Sequence, residues 1–217
     1  MSDILQLDGV RVAIQGAEVL RGISLAVPAN GLVALVGRNG AGKTTTLRSV
    51  MGLIALVQGR ISLDGTDLAQ IPAFGRAQLG IGYVPEDRRL IGQLSVADNL
   101  LLPAWAGGVA DAAQRLDHVY RLMPELAALA ERHAAQLSGG QQKMAALARA
   151  LMSATKLLLL DEPFEGLSTG LGQKLAATIR DVQRTGVSVL VAESDLKRVG
   201  FVDHIYTIER GEIVPQA

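Results

Sequence analysis

Gly37-Arg38-Asn39-Gly40-Ala41-Gly42-Lys43-Thr44 carries the spacing of a loop that cradles phosphate. Glycines at 37, 40 and 42 let backbone N–H groups turn inward around phosphate oxygens, and a helix N-terminus just beyond adds partial positive charge. In such a loop Lys43 reaches the β- and γ-phosphates and the Thr44 hydroxyl ligates magnesium, with Thr45 following at the same helix start. A glycine-rich turn can exist without a ligand. Here the loop lies between a continuous apolar run, Leu32 to Val36, and a helical pattern from Lys43 to Met51, which is the strand, loop, helix order that phosphate binding needs.

Leu157-Leu158-Leu159-Leu160-Asp161-Glu162 adds two carboxylates at the end of a second buried-strand run, the edge where ligands of α/β sheets bind. Asp161 is placed to hold magnesium through water, and Glu162 to orient or deprotonate an attacking water. Alone, two acids capping a strand read equally well as a solvated turn; beside a phosphate loop they read as a hydrolytic pair.

The third element is Leu137-Ser138-Gly139-Gly140-Gln141-Gln142. By itself it reads as a helix cap, with Ser138 capping and two glycines loosening the turn. Between the phosphate loop and the acidic strand it completes a set that resembles the ABC ATPases, whose signature is Leu-Ser-Gly-Gly-Gln, and the resemblance covers essentially the whole chain. It implies an α/β fold: a P-loop NTPase nucleotide-binding domain of ABC type, with a mainly parallel core sheet, an N-terminal antiparallel β subdomain and a helical insert. It also implies ATP and Mg2+ as cofactors and a head-to-tail pair of ATPase subunits. Ser138, Gly139, Gly140 and Gln141 would then contact the γ-phosphate of ATP held by the partner's phosphate loop. A single chain would hold half of each active site.

Four positions depart from the family pattern. Glu86, in Tyr83-Val84-Pro85-Glu86, stands where most of the family has a glutamine that touches magnesium, and a carboxylate can still ligate it. Ser194, in Val191-Ala192-Glu193-Ser194-Asp195, stands where a histidine usually contacts the γ-phosphate. Serine is too short and uncharged, so that contact is lost, replaced by water or supplied differently, and the chemistry leans further on Glu162. Ile14 aligns where an aromatic residue usually stacks on adenine, which implies a modest grip on the base. Ser168, after Glu165-Gly166-Leu167, likewise replaces a commoner aspartate.

The run Tyr83 to Arg89, Glu165-Gly166-Leu167 and the missing histidine look like the ATPases of branched-chain amino acid importers, with urea and amide importers as relatives. That likeness implies a second ATPase subunit (the same chain or a different one), integral membrane permeases, an external solute-binding protein and a peripheral position on the cytoplasmic face of the membrane. The alternative is a regulatory half that binds ATP without turnover; Glu162 speaks for hydrolysis.

These side chains must be held by a fold that the rest of the chain specifies. Glycine-punctuated alternating runs from Ile4 to Val27 predict an antiparallel meander, and Gly59 to Gly65 a further strand and turn. Buried strands are expected at Ile81 to Val84, Leu157 to Leu160, Val187 to Val191 and His204 to Ile208, with a helix over Leu171 to Arg184. Ser95-Val96-Ala97-Asp98 resembles a capping box, and the Ala/Leu-rich stretch after it predicts a helical insert over about 90–150 of one domain spanning 1–217. Trp105 is expected to pack within that insert, the alternative being that it faces the membrane partner, and the scattered His118, His133 and His204 lack metal-site spacing.

Composition narrows the function classes. At 217 residues, nearly half of them apolar and with acids balancing bases, the chain suits a globular domain and not a broad, charge-driven nucleic-acid surface. With no cysteine there is no disulfide framework, thiolate metal site or thiol nucleophile. Met1-Ser2-Asp3 begins no export signal, so the chain is expected to stay inside the cell, and no apolar run approaches the length of a membrane span.

Overall fold

The computed structural model describes residues 2–108 and 110–214. Strands β1 (Asp3–Ile14) and β2 (Ala17–Pro28) form a long antiparallel hairpin. β4 (Gln58–Leu63) and the two-residue β5 (Thr66–Asp67) complete a four-stranded sheet in the order β2-β1-β4-β5. The alternation read from the sequence turns Leu5, Leu7, Val10 and Val12 of β1 inward. Gly9, at φ 55, sits where the β1–β2 register slips, so the bulge falls on the residue with no Cβ.

The second sheet runs β10-β9-β3-β8-β7-β6. Its members are β3 (Leu32–Val36), β6 (Ile81–Val84), β7 (Leu157–Asp161), β8 (Ser188–Glu193), β9 (His204–Glu209) and β10 (Glu212–Val214). All neighbours are parallel except β10, which pairs antiparallel with β9. β3, β7 and β8 are buried along their whole length, which is why they read as continuous apolar runs: both faces of a parallel sheet are covered.

Residue parity divides each of these strands between two cores. Leu32, Ala34, Val36, Leu158, Leu160, Val189 and Val191 face a core shared with the helices. Val33, Leu35, Leu157, Leu159, Leu190 and Ala192 face a second core shared with α1 (Lys43–Val50) and the antiparallel sheet. Truncating any of these buried leucines to alanine removes transfer energy and leaves a cavity, at a cost of about 2–5 kcal/mol.

The helical insert consists of α3 (Val96–Gly107), α4 (Ala112–Leu122), α5 (Pro124–Ala127) and α6 (Gly139–Leu151). Ser95 caps α3 by accepting from the Asp98 N–H. Trp105 corrects the expectation of packing: it is 57% exposed. The buried positions of α3 are Val96, Asn99, Leu100 and Ala104, a stripe at helical spacing that Trp105 falls beside.

α7 (Thr169–Arg184) starts two residues before its expected position, capped by Ser168, which accepts from the Leu171 N–H. The short α2 (Ala73–Gln78) and the edge strand β10 are additions to the sequence expectation. Among the described residues no helix is long and apolar enough to cross a membrane.

Candidate active site

Because β3, β8 and β7 are parallel neighbours, the segments leaving their C-terminal ends converge at one edge of the sheet. β3 delivers residues 37–44, β7 delivers Asp161 and Glu162, and β8 delivers Glu193 and Ser194.

Sterics explain two of the loop glycines. A Cβ on Gly37 would lie 2.3 Å from the Ile208 carbonyl oxygen. Gly42 has φ 116 and packs so closely on Leu20 that a Cβ would come within 2.7 Å of it. The loop is tied to its neighbours by Gly37 N–H to the Glu193 carbonyl at 3.1 Å and by Gly211 N–H to the Ala41 carbonyl at 2.9 Å.

Lys43 is 5% exposed, and its ammonium donates to the Gly37 and Arg38 carbonyls at 2.7 and 3.3 Å. It also pairs with Glu162 Oε1 at 3.0 Å. Thr44 Oγ1 donates to Asp161 Oδ1 at 3.0 Å, and the Tyr83 hydroxyl donates to Asp161 Oδ2 at 3.3 Å. Burial raises the Asp161 carboxyl above its usual range, opposed by these two hydrogen bonds. Burial, then the Asp161 charge, pushes the Tyr83 phenol up to about 12, so it stays a donor.

Glu162 is the most constrained residue of the set. It is buried, and its φ of 47 is in the left-handed region, which costs a non-glycine residue about 1–3 kcal/mol unless the surroundings hold it there. They do: its N–H donates to the Ala192 carbonyl at 2.9 Å, and the next turn is fixed by Phe164 N–H to Glu193 Oε1 at 2.9 Å. Its carboxylate is gripped from both sides, Lys43 on Oε1 and the Ser194 N–H and hydroxyl on Oε2, both at 3.2 Å.

Ser194 thus has a partner that the sequence did not reveal, the Glu162 carboxylate. Glu193, fully buried at the end of an otherwise apolar strand, is raised to about 7, by burial first. Its Oε1 is held by Phe164, and Arg198 lies 3.5 Å from Oε2.

A cavity of about 370 Å³ opens over these groups. Asn39, Gly40, Gly42, Lys43, Thr44 and Thr45 form its loop side, with Glu86, Glu162, Glu165, Ser194 and Val19 opposite. Glu86 is exposed on this rim. Ile14 stands outside the lining, 41% exposed at the end of β1; the apolar contact on that side is Val19 of β2. A larger groove, about 820 Å³, is lined by Ser49, Ile54, Val57 and Arg76 among others, but its buried guanidinium is engaged by the Ile71, Ser49, Val50 and Leu68 carbonyls. That groove offers an anion little.

Ser138, Gly139, Gly140 and Gln141 lie outside the cavity lining, at the start of α6. Ser138 caps the helix and Gln141 returns a bond to the Ser138 N–H at 2.9 Å, a complete capping box. Its Ser138 and Gly139 are exposed, so this helix start can face another molecule.

A parallel sheet whose strand ends bring together a phosphate loop, a threonine bonded to an aspartate, and a glutamate clamped in a strained turn defines a phosphate-loop nucleoside triphosphatase. A family model described as "ABC transporter" matches residues 20–165. The chain is 35% identical over 212 residues to the high-affinity branched-chain amino acid transport ATP-binding protein BraG of Pseudomonas aeruginosa, covering 97% of this chain and 91% of that protein. It is 33% identical over 205 residues to the lipopolysaccharide export system ATP-binding protein LptB of Escherichia coli K12, with 93% and 85% covered. Among solved structures, the dimeric bacterial ABC transporter cassette MJ0796 superposes with a TM-score of 0.87 at 23% identity, covering 97% of each chain. The chain belongs to the ABC transporter family as an ATP-binding, ATP-hydrolysing subunit.

Proposed function

We propose that this chain, acting as one unit over residues 1–217, binds Mg-ATP at the 37–44 loop and hydrolyses it to drive import of branched-chain amino acids or a related amide- or urea-type solute. The observation that carries the hydrolytic reading is the clamp on Glu162, because a carboxylate held by Lys43 and Ser194 beside the phosphate loop is placed to orient water. Backbone N–H groups of Asn39, Gly40 and Gly42, together with Lys43, would hold the phosphates, while the Gly37 and Ala41 N–H groups are used in fixing the loop itself. Thr44 and Asp161 supply hard oxygen ligands suited to magnesium, which takes few protein ligands and completes its shell with phosphate and water. Bound there, magnesium would neutralise phosphate charge. Asp161 would orient it, Glu86 on the rim would face it, and Glu162 would accept the proton of the attacking water.

The exposed signature segment lies away from the chain's own cavity, which supports a head-to-tail dimer with a second ABC ATPase, the same chain or another. Integral membrane permease subunits would carry the solute, with this cassette docked on them at the cytoplasmic face of the membrane, as the likeness to importer ATPases implies. An external solute-binding protein would complete the importer. The import reading rests on the residue pattern at 83–89 and 165–167 and on the likeness to BraG.

The test is co-purification with its permeases into vesicles, followed by phosphate release with and without binding protein loaded with leucine. Leucine-stimulated turnover is expected. Stimulation by lipopolysaccharide instead would favour the export role that the name of LptB carries.

A further inference from the structure

The turn that carries Glu162 is held by one more group, from the helix that begins with the signature segment. Lys143 of α6 is 8% exposed, and its ammonium donates to the Glu162 carbonyl at 3.0 Å and to the Pro163 carbonyl at 3.2 Å. Both bonds go to backbone oxygens of the strained turn. Pro163 has no N–H and cannot help fix that turn by donating. A lysine is kept this deep only where its charge meets acceptors, and burial lowers its pKa, with the Glu165 and Glu193 charges acting the other way. Two carbonyls on one ammonium tie the 162–163 backbone to α6.

We propose that Lys143 is a positioning residue for hydrolysis: it ties the signature helix to the Glu162 turn, so that Glu162 meets water at the correct angle only when α6 is in place. The idea rests on Glu162 being the group that activates water. Its consequence is a route between the two sites of a dimer: the Ser138–Gln141 start of α6 would face the partner's nucleotide in the proposed pair, and Lys143 lies about one turn further along the same helix. Seating α6 against that nucleotide sets the turn that serves this chain's own site. Positioning matters steeply here, since displacement of a reacting group by about 1 Å can cost about 100-fold in rate.

Methionine matches the lysine stem without the ammonium. We expect Lys143→Met, assembled with its co-purifying subunits, to lose about 10- to 100-fold in kcat for phosphate release. The Kd for ATP, by calorimetry without magnesium, should stay at the parent value, while the Tm should fall, because two buried carbonyls lose their donor. Lys143→Arg, which keeps a cationic donor, should recover most of the rate. In a Glu162→Gln background, Lys143→Met should change the residual rate less than about twofold, because the group it positions is already removed.

Parent-like kcat in Lys143→Met, while Glu162→Gln is inactive, would overturn the role of Lys143 alone. Equal losses in both backgrounds would do the same. Parent-like turnover in Glu162→Gln would overturn the assignment of Glu162, and the role of Lys143 with it.

Discussion

Ser194→Ala isolates one grip on Glu162. The Ser194 N–H and hydroxyl each lie 3.2 Å from Glu162 Oε2, while Lys43 holds Oε1 at 3.0 Å. Alanine keeps the backbone donor and the strand and removes only the hydroxyl. A hydrogen bond to a charged group contributes about 1.5–3 kcal/mol, and 3.2 Å is long for a hydroxyl donor, so the lower end applies. About 1.5 kcal/mol, lost only where Glu162 must point at water, corresponds to about a tenfold fall in kcat. Steady-state phosphate release gives kcat, and calorimetry gives the ATP Kd, which should stay within about twofold. Unchanged kcat would show that the hydroxyl does not orient Glu162. A parallel loss of ATP affinity would instead place Ser194 against the nucleotide, the role its position in the family suggested.

Three further changes test other parts of the site. Lys43→Ala should weaken ATP binding about 10- to 100-fold by calorimetry, because a charge-assisted contact to phosphate is gone. It should also lower the Tm by stranding buried Glu162; unchanged affinity would refute the loop assignment. Ser138→Ala removes a helix cap, costing about 1 kcal/mol of stability, and should leave the isolated chain's ATP Kd unchanged, since Ser138 lies outside this chain's own cavity. A weaker Kd in the isolated chain would place the segment in its own site.

Glu193 keeps its proton when folded to a higher pH than when unfolded, so its contribution favours folding at low pH and is lost as pH rises from the usual 4.5 toward about 7. The shift corresponds to about 3 kcal/mol. Relative to Glu193→Gln, the parent should therefore lose stability across that window in denaturant titrations. A constant difference between them would contradict the burial argument.

Most of this arrangement was legible because the signals are local. β3 and β6 have the bounds their apolar runs suggested, since glycine or proline closes each run at both ends, Gly31 and Gly37 for β3 and Gly80 and Pro85 for β6. The phosphate loop and acidic strand were readable from residue type and order. What escaped depends on distant partners. α2 is a six-residue helix whose Arg76 bonds to carbonyls of residues 49, 50, 68 and 71, a tertiary fact with no local pattern.

Ser194 looked like a lost or replaced contact because its partner, Glu162, lies 32 positions away, in the turn just past the neighbouring strand. Lys143 stood unremarked in an alanine-rich helix, though a lysine whose helix neighbours on the same face are buried was a signal. So was Glu193, an acid ending an apolar strand. Trp105 was misplaced because a tryptophan amid apolar residues suggests core, whereas the stripe of α3 passes beside it.

The claim that two oppositely oriented cassettes close over ATP can be tested by weighing the Glu162→Gln chain, alone and with any second cassette that co-purifies, by light scattering with Mg-ATP. Binding without turnover should hold the closed pair, giving about twice the 22.8 kDa chain mass, and adding Ser138→Arg should return it to single chains. A chain saturated with Mg-ATP that stays at the mass of one cassette, in both preparations, would contradict the account.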